Sequence, residues 1–133
     1  MGAWGHGTFE NDTALDWLGD LREGAPSLVE DALIAVAEAG ADQYLDADEC
    51  CAALAAAELV AAARGKGEDR LSKGAGTWFA EHRATVAVVE MDLARRAVER
   101  VSGASELREL WDENGADTEW HANVRELLRR LSA

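Results

Sequence analysis

Apolar residues recur along this chain with the period of an α-helix and almost nowhere with the alternation of a strand. The first stripe is Ala14, Trp17, Leu18 and Leu21, spaced i, i+3, i+4, i+7. It follows Asn11 and Asp12, either of which can cap a helix, and Phe9, placed to act as a staple. Gly24 and Pro26 end it. Ser27 and Glu30 then read as a capping box for a second helix with Leu28, Ala32, Leu33, Val36 and Ala37 on its apolar side and Gly40 as its C-cap. Asp46 and Glu49 repeat the cap spacing before a third, Ala-rich helix that runs to about Ala63.

The stretch 65–76, GKGEDRLSKGAG, breaks the pattern with four glycines and mixed charge; it is expected as a flexible loop with Leu71 as a local anchor. A short helix is expected over 77–83 and a longer one over 85–101, with Val86, Val89, Leu93, Ala97 and Val101 inward. The spacing leaves open whether His82-Arg83-Ala84 breaks the chain or continues it. Ser105 caps SELRELWDE, whose Leu107, Leu110 and Trp111 face the core; Gly115 ends it. Asp117 or Thr118 caps a last helix with Trp120, Val124, Leu127, Leu128 and Leu131 on one side. The pattern therefore predicts a single compact all-α domain over 1–133, of about five to seven irregularly packed helices. Residues 1–10, rich in glycine and aromatics, are expected to fold back onto it.

Charge changes this picture. The net charge is −13, with 13 acids and 3 bases in residues 1–66 against 13 acids and 10 bases in residues 67–133. Between Arg22 and Arg64 there is no basic residue but nine acids: Glu23, Glu30, Asp31, Glu38, Asp42, Asp46, Asp48, Glu49 and Glu58. Such a surface repels nucleic acid and anionic lipid and attracts a basic protein. No apolar run approaches a membrane span, and the start has no basic region followed by an apolar one, so the chain reads as cytoplasmic. Cys50 and Cys51 are adjacent and read as small buried residues in a reducing compartment rather than a redox or metal pair.

Candidate chemistry is sparse. Asp12, Asp16 and Asp20 recur every four residues, a carboxylate stripe that serves as a solvated face, an interaction stripe or a hard-metal site. Glu58 is the only charge from Cys50 to Ala63. If buried, it needs a partner: the Trp4 or Trp78 indole, the amides of the Gly-rich start, or an arginine. His6, His82 and His121 show no metal-ligand spacing, and no nucleophile elbow, phosphate-cradling loop or EF-hand is present. Trp17, Trp111 and Trp120 fall on apolar faces; Trp4 and Trp78 do not, and Trp4 is a candidate interface anchor.

The segments GAWGHGTFENDTALDWL, YLDADECCAALAAAELVAA and SELRELWDE resemble the bacterial domain of unknown function family 4259, over essentially the whole chain. The resemblance brings no assigned catalytic residues. By analogy with other small bacterial families, it implies an immunity-type protein that inhibits a toxin. The leading expectation is thus a non-enzymatic acidic binding protein with no cofactor, which docks Asp42, Asp46, Asp48, Glu49 and Glu58, with Trp4 and His6, on a basic partner. Two alternatives stand beside it. One is a metal-dependent hydrolase using Asp12, Asp16 and Glu58 with His6 or His82; the other is a structural homo-oligomer subunit.

Overall fold

A computed structural model describes residues 8, 9, 11–24, 26–40, 42–113, 115 and 118–132. Seven α-helices follow one another among them: α1 (Asp12–Glu23), α2 (Leu28–Ala37), α3 (Ala47–Ala63), α4 (Lys73–Ala87), α5 (Met91–Gly103), α6 (Glu106–Asp112) and α7 (Glu119–Ser132). A single 3-10 turn, Glu68–Arg70, lies between α3 and α4, and no strand occurs among the described residues. The chain is a single compact all-α domain.

The organisation follows from α3. Asp46 starts it by accepting from the Glu49 amide at 2.8 Å, and alanine, the best helix former, fills it. Thirteen of its 17 residues are buried, so it is apolar on every side, the signature of a helix inside a core. Each of the other six α-helices touches it. Small side chains let these neighbours approach closely, and the larger residues of the amphipathic helices fill the gaps: Leu18 and Leu21 of α1, Leu33 of α2, Phe79 of α4 and Leu127 of α7. The N-terminal aromatics contribute Phe9, buried just ahead of α1.

One charge sits in this core. Glu58 is 4% exposed and meets Arg130 of α7 fork to fork, with Nη1 donating to Oε2 at 3.1 Å and Nη2 to Oε1 at 2.9 Å. Arg130 Nε donates to Glu126 at 2.8 Å and Nη1 also to the Lys66 carbonyl at 3.1 Å. Arg70 of the 3-10 turn reaches the same Glu126 at 3.2 Å. The partner of Glu58 is therefore the arginine among the expected candidates. The network ties α3, α7 and the 66–70 turn together.

Several boundaries differ from the sequence expectation. Ser27 makes no capping bond; Pro26 and Ser27 form a turn in which the Val29 amide is already taken by the Pro26 carbonyl. The 65–76 stretch is not a loop throughout: the 3-10 turn occupies its middle, and α4 begins at Lys73. Ser72 caps that helix by accepting from Ala75, which offsets the two glycines of its first turn. His82 leaves helical geometry yet does not end α4; its ring stacks on Trp78 at 4.3 Å and its Nδ1 bonds the Trp78 carbonyl at 2.9 Å. Trp78 is thus core. The real break falls at 88–90, where the Val89 carbonyl is taken by Arg64 at 3.1 Å. Among the described residues no helix is long and apolar enough to cross a membrane.

Two glycines of the 64–67 turn separate backbone strain from close packing. Gly65 and Gly67 both have positive φ, at 75° and 110°. A Cβ at Gly65 would meet nothing, whereas one at Gly67 would sit 3.2 Å from Arg130 Cζ and nearer still to Nη1. Urea unfolding should show a loss of roughly 1 kcal/mol for Gly65→Ala, from the left-handed backbone alone. Gly67→Ala should lose at least about 2 kcal/mol, because the Arg130 guanidinium must also move. Equal losses would contradict the close approach of Arg130 to this turn.

Candidate functional site

The acidic residues singled out from the sequence gather where the chain enters α3. Asp46, Asp48 and Glu49 form the cap and first turn of that helix, and all three are exposed. Their position follows from helix physics, since carboxylates favour the positive end of the helix dipole. The first turn of α1 adjoins them, with the Thr13 hydroxyl donating to Asp48 Oδ1 at 3.0 Å. Partial burial and the nearby Asp46 carboxylate raise the Glu49 carboxyl above its ordinary range.

The turn before α3 is fixed by its carbonyls. Arg100 of α5 donates to those of Ala39, Gly40 and Gln43, at 3.1, 3.0 and 2.6 Å, and to its own C-cap at Ala104. Two further bonds lace residues 45–47 to the start of α6: the Glu106 amide to the Leu45 carbonyl at 3.0 Å, and the Ala47 amide to Glu106 Oε1 at 2.7 Å. Asp42 and Tyr44 project from this rigid turn. Tyr44 is 63% exposed and donates its phenol to Glu109 Oε2 at 2.7 Å. Between the turn and α6 lies a cleft of about 530 Å³ lined by Asp42, Tyr44, Leu45 and Glu109, among others.

The outward side of α2 continues the acidic surface. Glu30, Asp31 and Glu38 are exposed around Ile34, which is itself 40% exposed. Helix α2 packs on α3 and α5, which buries Val29, Leu33 and Val36 and turns these residues to solvent. Within this region one cation approaches, Arg96 at 3.6 Å from Glu38.

Glu58 does not belong to that surface. It was grouped with the docking acids, but it lies inside the domain against Arg130. Burial pushes its carboxyl up, opposed by the two N–H groups of Arg130; the paired carboxylate in turn raises the arginine. The pair borders a cavity of about 260 Å³ with Phe9, Arg70 and Ser72. This arrangement neutralises a buried charge and ties elements together.

The remaining candidates disperse. Asp12 and Asp16 are exposed on α1 whereas Glu58 is buried, and His82 is engaged by Trp78. Among the described residues no three His, Cys, Asp or Glu side chains lie together as a metal would need. Trp4 and His6 lie outside the described residues. Cys50 and Cys51 are buried, which pushes their thiols up to about 11 and about 12 and keeps them protonated at neutral pH. His121, buried at the head of α7, accepts from the Thr118 amide through Nδ1 at 3.1 Å and meets Asp112 through Nε2 at 2.7 Å. This accounts for its polar atoms as a bridge from α6 to α7.

Sequence reasoning missed Tyr44, Arg100 and Arg130. Tyr44 carried a readable signal, as the chain's only tyrosine inside its acid-only segment. Its environment is measurable for the same reason. The hydrogen bond and charge of Glu109 push the Tyr44 phenol up from 10.0 to about 12. Absorbance titration at 295 nm should show one phenol ionising near that value in the native protein, and Glu109→Gln should bring it back toward 10.0. An unchanged titration in the variant would contradict the Tyr44–Glu109 bond.

No curated protein and no solved structure matches the chain at a significant level. The family match is of another order, because it covers the acidic segment, the turn that bears Tyr44 and all of α3. Residues 2–123 match the family described as Domain of unknown function (DUF4259), and the chain belongs to that family.

Proposed function

We propose that this protein is a non-enzymatic binding protein that docks its acidic face on a basic partner, as an immunity-type inhibitor covers the cleft of a toxin. One observation carries this reading. Eight of the nine acids between Arg22 and Arg64 are exposed, no basic residue lies among them, and the ninth, Glu58, is withdrawn into the core and neutralised by Arg130. The surface charge of this region is thus predominantly negative, although Arg96 pairs with Glu38 and Arg100 and Arg108 reach the cleft, and such a surface steers an oppositely charged protein and helps to fix its orientation. The exposed Ile34 and Tyr44 lie in the same segment and add the apolar and aromatic contact that surface charge alone lacks. The mechanism is steric: bound over a basic active-site cleft, the domain excludes substrate without chemistry of its own.

The test compares the wild-type chain with Asp42→Asn/Asp46→Asn/Asp48→Asn/Glu49→Gln as baits in bacterial cytoplasm. Asn at position 46 still caps α3, so the fold is retained. The wild type should hold one basic protein that dissociates as salt rises from ~0.1 to ~1 M, where the Debye length falls from about 10 to about 3 Å. The neutralised variant should lose it. Equal retention by both baits would overturn the reading.

A further inference from the structure

The acidic face has one feature that charge alone does not require. Tyr44 is both highly exposed and immobilised, its ring held by the bond from its phenol to Glu109 and its backbone by the Arg100 clamp beneath the turn. A side chain ordered before binding loses little entropy when a partner packs on it, and tyrosine is favoured as an anchor for that reason. The ring stands beside the 530 Å³ cleft, whose floor includes the buried Leu45 and Ser105. Two arginines also reach this cleft. Arg100 is turned onto main-chain carbonyls, and Arg108 onto the Ser102 carbonyl and Asp112. Asp42 and Glu109 remain as exposed carboxylates lining the same cleft as the aromatic ring.

An exposed aromatic ring that shares a cleft with two carboxylates matches one chemistry. A guanidinium stacks flat on the ring while its N–H groups donate to the carboxylates. We propose that Tyr44 anchors the docked partner by receiving an arginine side chain in this cleft, which Asp42 and Glu109 also line. This rests on the acidic face being the docking surface and adds which point on it is recognised and by what group. Tyr44 supplies the ring, and Glu109 holds that ring in place as well as pairing with the cation. The exposed α2 stripe then serves as surrounding contact rather than as the anchor.

The experiment titrates the peptide acetyl-Arg-Arg-Arg-amide into the full-length ¹⁵N-labelled protein at low salt, followed by amide chemical shifts. Binding on the order of millimolar is expected, with the first and largest shifts at residues 42–45 and 108–112. Tyr44→Ala should weaken it roughly fivefold, and Tyr44→Phe, which keeps the ring but loses the bond that holds it, by an intermediate factor of about two. A tri-lysine peptide should bind less well, because an ammonium cannot stack or fork. Shifts confined to Glu30, Asp31 and Glu38 would overturn the cleft while leaving the acidic docking face intact. Cleft shifts that titrate in Tyr44→Ala at the same peptide concentrations as in the wild type would overturn the anchor. No shifts anywhere would overturn both this inference and the docking reading beneath it.

Discussion

The fold depends on how one carboxylate is kept inside an apolar helix. Helix α3 is buried on every side, so each surrounding helix takes its position from it, and Glu58 is the single charge in its interior. An isolated buried carboxylate would cost far more than any one contact returns. Arg130 meets it with two parallel N–H bonds and spends its other donors on Glu126 and the Lys66 carbonyl. The arrangement leaves no described buried side-chain polar atom without a partner. Its geometry is more informative than its strength, because a buried ion pair stabilises little relative to well-packed apolar residues. What it specifies is position: α7 can seat on α3 in one register only, and the 66–67 turn must pass close enough that Gly67 lies against the guanidinium.

The same withdrawal shapes the surface. With Glu58 neutralised internally, the acids of residues 23–49 present a predominantly negative face, while several basic residues of the second half are engaged along their own helices. Asp92 with Arg95 and Arg96, and Glu126 with Arg129 and Arg130, are such local pairs. Arg100, like Arg96 at Glu38, reaches the acidic face directly. Its bonds to the Ala39, Gly40 and Gln43 carbonyls tie the residues on either side of Asp42 to α5. A long basic side chain is thus used as scaffold for an acidic surface, and the field at that surface is spatially fixed.

The parts of this structure that are local in sequence were legible in it. Asn11, Asp46 and Ser105 cap the helices they were expected to cap, because a cap depends on three or four neighbouring residues. The amphipathic stripes of α1, α5 and α7 named their own core residues. Where neighbours compete, the reading failed. Glycines argued for a loop at 73–76, and the Ser72 cap outweighed them. Valines kept the apolar period running through 86–89 and hid the break that Arg64 stabilises. The need for a partner at Glu58 was legible, but its identity was not. Arg130 lies 72 positions away, and local pattern does not select it from the other arginines. Tyr44 was overlooked for a different reason: it stands in a turn, where neither helical period nor a motif draws notice.

The central claim is that Glu58 and Arg130 act as one unit that seats α7 on α3. A urea-unfolding double-mutant cycle with Glu58→Leu, Arg130→Met and the pair together tests it most directly. Arg130→Met strands the buried Glu58 and should cost about 3 kcal/mol. Glu58→Leu, which leaves Arg130 with Glu126 and the Lys66 carbonyl, should cost less. The double change, which replaces the pair with apolar volume, should recover most of the Arg130→Met loss. Single losses that simply add in the double variant, or singles that unfold like the wild type, would contradict the account.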